Sequence, residues 1–420
     1  MSMSGPVAKQ DRNLRELDFF LLWAGAAISL SEIWAGGLLV SFGLMAGLGL
    51  IVLGHVVGNT PMALAGLIGS RHGVPAIVGT RGALGNRGSV LPALLNIVQL
   101  VGWTGVMLWI GGQSAAGLAG GAEGARWWMV ALGVLTTLWA LADHRIWKVI
   151  QKIGVALLLV LSVVMTALAL RTYGWRELWT APATPSMPFM LGLDLVIAMP
   201  ISWMPLVSDY TRYAAIPGRG LRGTWWGYLL VSSWMYAVGL VAALATKSAA
   251  PEAALLQLMG EHRFLIPAVL VVLLSTVTTT FLNIYSNAVS AQSLFPKLGT
   301  RPLVLAAGAL GTVLALGFDA TTYESFLLLI GSAFCPLFGV VLADYFLLKR
   351  GSYEAEELFR RGRYWYVGGV NYRALAAWAV GIGIYQICAR TGFAAGSSLP
   401  SMIGAALLYR LISFPKKGIA

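Results

Sequence analysis

Residues 28–37 read ISLSEIWAGG, and this stretch decides the fold. It lies within the first long apolar segment, at about residues 19–40, and contains a carboxylate, two serines and a pair of glycines. An ionisable side chain at membrane depth is energetically unfavourable and marks a functional site by default. The stretch therefore predicts an interrupted membrane helix that holds Glu32 at a functional position. The alternative is a glutamate that is buried and hydrogen-bonded only for packing.

The composition places the whole chain in a membrane. Of its 420 residues, 58% are hydrophobic and 11% are charged, whereas soluble domains carry about 25% charged residues. The mean hydropathy is +0.75. These values exclude soluble enzymes, secreted disulfide scaffolds and nucleic-acid binders. The polar N-terminus at 1–18 lacks the apolar core of a signal peptide, so the first apolar segment is expected to stay in the membrane.

Twelve apolar runs are candidates for membrane helices. A helix needs about 20 mostly apolar residues to cross the bilayer, and the runs are bounded by charges or by clusters of Gly, Pro and Asn. The sequence therefore predicts twelve transmembrane helices. They lie at about residues 19–40, 48–68, 90–118, 127–141, 150–170, 190–207, 226–245, 264–294, 302–316, 325–348, 375–389 and 402–414.

The basic residues support this count and give it an orientation. With the N-terminus in the cytoplasm and the loops assigned alternately, most of the 29 Lys and Arg residues fall on the cytoplasmic side, as the positive-inside rule requires. Adding or dropping one early helix would scramble this asymmetry. We therefore expect a multi-pass protein of the inner (plasma) membrane with both termini in the cytoplasm. The basic residues assigned to the outer side are Arg126, Arg171, Arg176, Lys247, Arg263 and Arg390.

The sixth predicted helix has a matching interruption. Residues 199–205 read MPISWMP, and two prolines remove backbone donors and release carbonyls from the helical ladder. An ordinary proline kink is the alternative. Helices one and six occupy the same place in two halves of five helices each, and such paired interruptions point to a transporter site built from inverted repeats. This positional argument makes Ser202 and Trp203 candidates for substrate contact.

The third predicted helix presents an amide and an aromatic ring on one face. Gln99 and Trp103 are four residues apart, which is about one helical turn. An amide and a broad π face together suit a planar heterocycle with hydrogen-bonding groups. The alternative for Trp103 is packing or a place at the membrane interface, because the chain contains 16 tryptophans.

The eighth predicted helix contains a cluster of hydroxyl groups. Three of them share one face, and Asn283 lies one turn beyond the last. Hydroxyl and carbonyl oxygens suit a hard monovalent cation, so the cluster predicts a Na⁺ site together with loosened carbonyls of helix one. The alternative is helix packing, with each hydroxyl bonded to the preceding turn. The predicted ligands are Ser275, Thr278 and Thr279, with backbone carbonyls near Ser29 and Glu32.

Other polar residues in the membrane are expected to be structural. His55 and Asn59, one turn apart, are expected to serve packing or water contacts rather than a proton relay. Asp209 and Asp344 lie near cytoplasmic helix ends, where loop Arg and Lys are the expected partners. The sequence contains no Walker A motif, HExxH or GxSxG. ATP-driven transport and membrane proteolysis of those types are therefore not expected.

Four further motifs occur in order along the chain. They are GTRG at 79–82 with GSVLP at 88–92, VGWTGV at 101–106, DYTRY at 209–213 and PLFGVVLADY at 336–345. Together they resemble the nucleobase:cation symporter-1 family (purine/cytosine permeases), which includes cytosine permeases and the hydantoin transporter. Within the family, residues 31–37, 99–103 and 201–205 look most like the CytX-type permeases. That type is associated with hydroxymethylpyrimidine, the thiamine precursor.

The resemblance implies a leucine-transporter-like fold of five plus five inverted helices followed by two peripheral helices. It also implies a substrate between helices one, three, six and eight, stacked on a Trp that matches Trp103. Its sodium-site hydroxyls match Thr278 and Thr279. The resulting segments are a cytoplasmic tail (1–18), a first repeat (19–172), a second repeat (189–348), a cytoplasmic loop (349–372), two peripheral helices (373–414) and a C-terminal tail (415–420).

Two departures from the family bear on the substrate. Cytosine permeases place the amide three residues before the Trp, whereas Gln99 is four residues before Trp103. Glu32 has no counterpart in the cytosine permeases, and a carboxylate there would accept hydrogen bonds from the exocyclic amine of an aminopyrimidine. The predicted substrate-binding residues are Glu32, Trp34, Gln99, Trp103, Ser202, Trp203 and Asn283.

These observations predict a secondary active symporter and not an enzyme. Its expected substrate is a small aminopyrimidine, with hydroxymethylpyrimidine as the best candidate, moved inward with Na⁺ or H⁺ by alternating access. The alternatives are a cytosine, purine or hydantoin-like permease of the same family, or an uncoupled facilitator. The expected partners are the pyrimidine and the lipid bilayer, with no cofactor, nucleic acid or obligate protein partner.

Overall fold

The structure, a computed structural model, describes residues 5–413 apart from 118–120, 142–143, 185, 248–256, 258–259, 261–263 and 296. The predicted tail at 415–420 lies outside the described residues. Those residues form α-helices and no extended β-strand. The helices are α1 Glu16–Ala27, α2 Leu30–Gly37, α3 Gly43–His72, α4 Ala76–Leu84, α5 Val90–Ala116, α6 Gly121–Ala140, α7 His144–Tyr173, α8 Trp175–Thr180, α9 Phe189–Ser202, α10 Met204–Thr211, α11 Pro217–Thr246, α12 Leu265–Leu294, α13 Thr300–Ala315, α14 Ala320–Leu342, α15 Tyr372–Thr391 and α16 Ser398–Ser413.

Helices are the expected response to a lipid environment, because backbone groups in the bilayer must be satisfied within the segment. In the described part of the chain, seven helical spans are long and apolar enough to cross a membrane, or eight if the bent pair α1 and α2 is one span. The prediction of an all-α integral membrane protein is confirmed. Each predicted segment coincides with a helix over its described residues. The count of twelve membrane helices and the inverted repeat stay predictions.

The first membrane helix is broken where the sequence predicts. α1 ends at Ala27, α2 begins at Leu30, and the two are bent by 60°. Ser29 has an extended backbone (φ −146°, ψ 157°), and its hydroxyl oxygen lies 2.9 Å from that of Ser31. The break therefore places backbone and hydroxyl oxygens in the middle of the membrane segment.

The second predicted break is milder. One residue, Trp203, separates α9 from α10, and its backbone angles (φ −85°, ψ −14°) stay near helical values. Residues 189–211 accordingly form a single span. Pro205 stands in the first turn of α10, where a missing N–H is tolerated. The two prolines of this segment thus produce a one-residue step rather than an unwound stretch.

Two glycines allow α2 to pack directly on α11. A Cβ atom at Gly36 would overlap the carbonyl oxygen of Tyr236, and one at Gly239 would overlap the carbonyl oxygen of Ile33. Such backbone-to-backbone approach requires residues without a side chain. The crossing brings Glu32, one turn before Gly36, against α11.

The helices form two groups with a cavity between them. In the first group, α11 packs along α1, α2 and α3, and α3 also packs on α9 and α10. In the second group, α5 packs on α6, α12 and α13. The C-terminal helices α15 and α16 pack on α14, which also contacts α9. The two broken helices therefore belong to the same group and face the second group across the cavity.

Two carboxylates near helix ends have partners other than those expected. Asp209 Oδ1 accepts a hydrogen bond of 3.0 Å from the backbone N–H of Ala76, at the start of α4. Asp344 accepts hydrogen bonds from the hydroxyls of Tyr353 (2.7 Å) and Tyr409 (2.8 Å). Among the described residues, the expected ion pairs with loop Arg or Lys do not form. A helix N-terminus and two buried hydroxyls take their place.

A third carboxylate ties the C-terminal helices to the core. Asp194 lies inside α9 and is 3% exposed. Its oxygens accept hydrogen bonds from the backbone N–H groups of Ser397 (2.7 Å) and Ser398 (2.9 Å), at the start of α16. Acceptance of two N–H groups at a helix N-terminus is favourable for a carboxylate.

Candidate substrate and ion site

A cavity lies between the two helix groups, at the level of both helix breaks. Its wall combines carboxylate, amide and hydroxyl groups with aromatic and aliphatic side chains, which suits a small polar heterocycle. The lining residues are Ala26, Ser29, Ser31, Glu32, Leu100, Trp103, Met107, Met199, Ser202, Trp203, Leu206, Thr279 and Asn283.

Most of the predicted substrate residues meet at this cavity. They come from α2, α5, α12 and the step between α9 and α10, which are far apart in the sequence. The structure places two others, Trp34 and Gln99, behind the wall. Those that line it are Glu32, Trp103, Ser202, Trp203 and Asn283.

Both oxygens of the Glu32 carboxylate are held by α11. Oε1 accepts a hydrogen bond of 2.6 Å from the hydroxyl of Tyr228, and Oε2 lies 2.7 Å from the hydroxyl of Ser232. Glu32 is 2% exposed, and among the described residues it forms no ion pair with Lys or Arg. Its orientation is therefore set by hydroxyl groups and not by a counter-ion.

His55 extends this row of hydrogen bonds. Its Nδ1 lies 2.8 Å from the carbonyl oxygen of Ile51 and must donate to it, because a carbonyl only accepts. Its Nε2 lies 2.5 Å from the Ser232 hydroxyl. That hydroxyl has one proton, yet it faces both the imidazole and the carboxylate. His55, Ser232 and Glu32 therefore form one continuous row of hydrogen-bonding groups. The sequence predicts packing or water contacts for His55, and the structure adds a hydrogen-bond contact with the residue that anchors Glu32.

Trp203 is fixed at the helix step by a hydrogen bond and by aromatic packing. Its Nε1 donates to the Tyr228 hydroxyl over 2.9 Å. Trp23 packs edge-on against its ring, with 5.6 Å between ring centroids. The indole thus lines the cavity with its only N–H donor already used.

Two aromatic residues of the prediction, Trp103 and Trp34, both pack against Tyr323 but lie differently with respect to the cavity. Trp103 lines the wall and packs edge-on against Phe326, with centroids 5.3 Å apart. Trp34 is 2% exposed and packs edge-on against Trp109 (5.3 Å) and Tyr323 (4.9 Å). Trp34 therefore belongs to an aromatic cluster beyond the cavity wall.

Gln99 braces the step between α9 and α10. Its Nε2 donates to the backbone carbonyl of Ser202 and to Oδ1 of Asn96, each over 2.9 Å. Its Oε1 is buried, with no hydrogen-bond partner within the described ranges. The amide thus supports a lining residue from behind.

The predicted ion ligands face different ways. Thr279 lines the cavity together with Ser29. Thr278 donates its hydroxyl to the carbonyl of Leu274 (2.9 Å) and lies against Gly154 of α7. Ser275 is buried one turn earlier. The structure thus brings one of the three hydroxyls to the cavity wall opposite the first helix break.

Sequence reasoning missed the polar face of α11. Tyr228, Ser232 and Tyr236 follow each other at intervals of four residues and line up on one side of the helix. The first two hold Glu32, and the ring of Tyr236 packs edge-on against His55, with centroids 4.8 Å apart. The four-residue spacing was the available signal, and it is the same signal that singled out the eighth predicted helix.

Interrupted helices that meet at a polar cavity between two helix groups define a membrane transporter. The family model for permeases of cytosine/purines, uracil, thiamine and allantoin matches residues 6–411. The chain belongs to this family, the nucleobase:cation symporter-1 family of the sequence analysis, and the expectation that it is not an enzyme is confirmed.

Individual relatives agree with this assignment. The cytosine permease of Escherichia coli (strain K12) is 26% identical over 438 residues, covering 97% of this chain and 93% of the relative. The hydantoin permease of Microbacterium maritypicum is 24% identical over 408 residues, covering 91% of this chain and 83% of the relative. Both are similar along nearly the whole chain.

Solved structures share the fold. Mhp1, a nucleobase-cation-symport-1 family transporter, in a closed conformation with bromovinylhydantoin bound, superposes with a TM-score of 0.83 at 22% identity, over 97% of this chain and 94% of that one. Its inward-facing conformation superposes with a TM-score of 0.87 at 20% identity, over 98% and 94% of the two chains. The chain therefore shares the overall helical fold of this transporter.

Proposed function

We propose that the protein is a secondary active symporter that imports a small aminopyrimidine, with hydroxymethylpyrimidine as the best candidate, together with Na⁺ or H⁺. The observation that carries the proposal is Glu32, a buried carboxylate on the cavity wall, because a carboxylate suits a ring that donates an amine proton. The resemblance of residues 31–37 to the CytX-type permeases supports the same substrate. The charge pattern supports a plasma-membrane location with both termini in the cytoplasm.

The lining groups offer complementary contacts for a planar amino heterocycle. Trp103 supplies an aromatic surface, and Asn283 supplies a donor and an acceptor. A carboxylate has about four lone-pair positions, and Tyr228 and Ser232 use one on each oxygen of Glu32. Lone pairs therefore remain for an exocyclic amine of the substrate.

Two features support the two candidate ions. For Na⁺, Thr279 and Ser29, which both carry hydroxyl groups, line the cavity from opposite helix groups, and Ser275 and Thr278 would complete the ligand set. For H⁺, the row from His55 to Glu32 contains two titratable groups joined by the Ser232 hydroxyl. In either case the two helix groups would move relative to each other and open the cavity to alternate sides.

The deciding experiment is uptake of radiolabelled hydroxymethylpyrimidine by proteoliposomes under an inward Na⁺ gradient, an inward proton gradient, or neither. We expect accumulation above equilibrium with one of the two gradients. Accumulation of cytosine, a purine or a hydantoin, with hydroxymethylpyrimidine ignored, would support the alternative permease. Uptake that only equilibrates, whatever the gradient, would support an uncoupled facilitator.

Thr279→Ala refines the ion assignment. If Na⁺ is the coupling ion, this variant should need about tenfold more Na⁺ for half-maximal uptake, since it loses a cavity-facing oxygen. Thr280→Ala is the matched control, because the Thr280 hydroxyl, one residue further on, is buried without a partner in the described part of the chain. Equal Na⁺ dependence of both variants and the wild type would argue against Thr279 as a ligand.

A further inference from the structure

The Tyr228 hydroxyl joins two residues of the cavity wall without lining the wall itself. It accepts the Nε1 proton of Trp203 and donates to Oε1 of Glu32. Tyr228 is 0% exposed. Its ring is held edge-on by Trp23 and Trp203, at centroid distances of 6.2 and 6.4 Å. Packing of the ring therefore fixes the position of the Tyr228 hydroxyl, which takes part in both hydrogen bonds.

These two hydrogen bonds decide what each wall residue offers to a ligand. Trp203 has a single donor, and because Tyr228 accepts it, the indole presents aromatic surface rather than an N–H group. Glu32 has three rotatable side-chain bonds, and anchoring of Oε1 by Tyr228 and of Oε2 by Ser232 leaves one orientation. A ligand at the wall therefore meets hydrogen-bond acceptors at Glu32, but it cannot use the N–H donor of Trp203, because Tyr228 already accepts it.

We propose that Tyr228 is a positioning residue that makes the site select amino-substituted rings over oxo-substituted ones. An exocyclic amine donates to the acceptors of Glu32, whereas a ring carbonyl at the same place meets carboxylate oxygen and finds no donor at Trp203. This inference rests on the proposed function, since it assigns the chemical basis of substrate choice at the same cavity.

Tyr228→Phe removes only the hydroxyl and keeps the packed ring. We expect the KM for hydroxymethylpyrimidine to rise about tenfold or more, because a hydrogen bond to a charged group is lost, with a smaller change in maximal rate. We also expect the uptake ratio of cytosine to uracil, two rings that differ in an amine and a carbonyl, to fall. The freed Trp203 N–H then becomes available to the carbonyl.

The chain provides a matched control two turns along the same helix. Tyr236 is also buried, and its hydroxyl has no hydrogen-bond partner among the residues that the structure describes. Tyr236→Phe should leave the KM and the cytosine-to-uracil ratio at the wild-type values. Equal changes in both variants would mean that loss of any buried hydroxyl from α11 perturbs transport, and would overturn the proposal.

A double-mutant cycle with Glu32→Gln separates positioning from general structural support. If Tyr228 acts through Glu32, Tyr228→Phe should change the KM by less than about twofold in the Glu32→Gln background. Independent effects that multiply, or a Tyr228→Phe variant with wild-type kinetics, would refute the inference.

A second pair covers the case in which Tyr228→Phe does not fold, as judged by thermal unfolding in detergent. Ser232→Ala removes the anchor of Oε2, whereas Ser233→Ala removes a neighbouring buried hydroxyl without a partner. Only Ser232→Ala should lower the cytosine-to-uracil ratio. An unchanged ratio in Ser232→Ala would count against control of selectivity by α11.

The proposed function and this inference fail in different ways. If the wild-type protein transports an oxo ring or a hydantoin and ignores aminopyrimidines, the proposed function is wrong. The cycle is then measured with the ring that is transported, and additivity of Tyr228→Phe and Glu32→Gln would show separately that Tyr228 does not act through Glu32.

Discussion

The carboxamide of Gln99 satisfies a backbone carbonyl at the least regular point of the second broken helix. The Ser202 carbonyl lies at the end of α9 and accepts from Gln99 Nε2. A buried carbonyl without a donor is destabilising by about 1–3 kcal/mol. This hydrogen bond therefore stabilises the step that carries Trp203.

Gln99→Leu should lower the free energy of unfolding by about 1–3 kcal/mol, because it leaves the Ser202 carbonyl and Asn96 without their donor. Asn59→Leu is the control, since both polar atoms of the Asn59 amide are buried without a partner and their loss should be neutral or stabilising. Thermal unfolding of the purified variants in detergent measures both. A destabilised Asn59→Leu with an unaffected Gln99→Leu would contradict this account.

Part of the candidate site could be predicted from the sequence. The part that could not be predicted consists of contacts between residues far apart in the chain. Glu32 and Trp103 could be found because each contrasts with its own apolar helix. The partners of Glu32 could not be assigned, because Tyr228 and Ser232 lie 196 and 200 residues further along the chain. The sequence places Gln99 in the third predicted helix, but its hydrogen bond to the Ser202 carbonyl depends on tertiary packing.

At the scale of elements, the crossing of α2 and α11 determines where Glu32 lies. The backbones meet at Gly36 and Gly239, where a side chain would overlap a carbonyl oxygen of the other helix. Local sequence predicted the break before α2, because serine and glycine weaken a helix there. It did not show that the break after α9 is a single residue, since the support from Gln99 comes from another helix.

Gly36→Ala should push α2 away from α11 and destabilise the protein by about 1–3 kcal/mol, as for other overpacked contacts. Uptake should fall with it, because Glu32 loses its alignment with α11. Gly49→Ala is the control, since a Cβ there has no neighbour within 4 Å. Thermal unfolding and uptake at equal protein content test the pair, and a Gly36→Ala variant as stable as Gly49→Ala would argue against the close crossing.

At the scale of the whole molecule, two helix groups share the cavity, and this division predicts which distances change during transport. Spin labels at Leu230 on α11 and Leu310 on α13, which are 51% and 58% exposed, report on separate groups. Labels at Val134 on α6 and Leu310 report on one group. Cys335 and Cys388 are buried and would be replaced first.

Substrate with the coupling ion should shift the distance distribution between residues 230 and 310 by several ångströms and leave that between residues 134 and 310 unchanged. The reason is that packing within a group resists deformation, whereas the cavity between groups does not. Pulsed electron paramagnetic resonance measures both pairs. A change of equal size in both pairs would mean that the groups do not move as units.

The hydrogen bonds of Asp194 also bear on how the protein is made. Its carboxylate is buried in α9, but its two backbone donors are synthesised 203 and 204 residues later, at the start of α16. Until the ribosome has delivered that helix, the membrane contains a carboxylate without these partners, which is unfavourable. Synthesis of residues 397 and 398 therefore supplies the missing donors to the Asp194 carboxylate. A protein truncated before residue 397 would keep this unsatisfied carboxylate in the membrane when it meets the quality-control machinery of the cell.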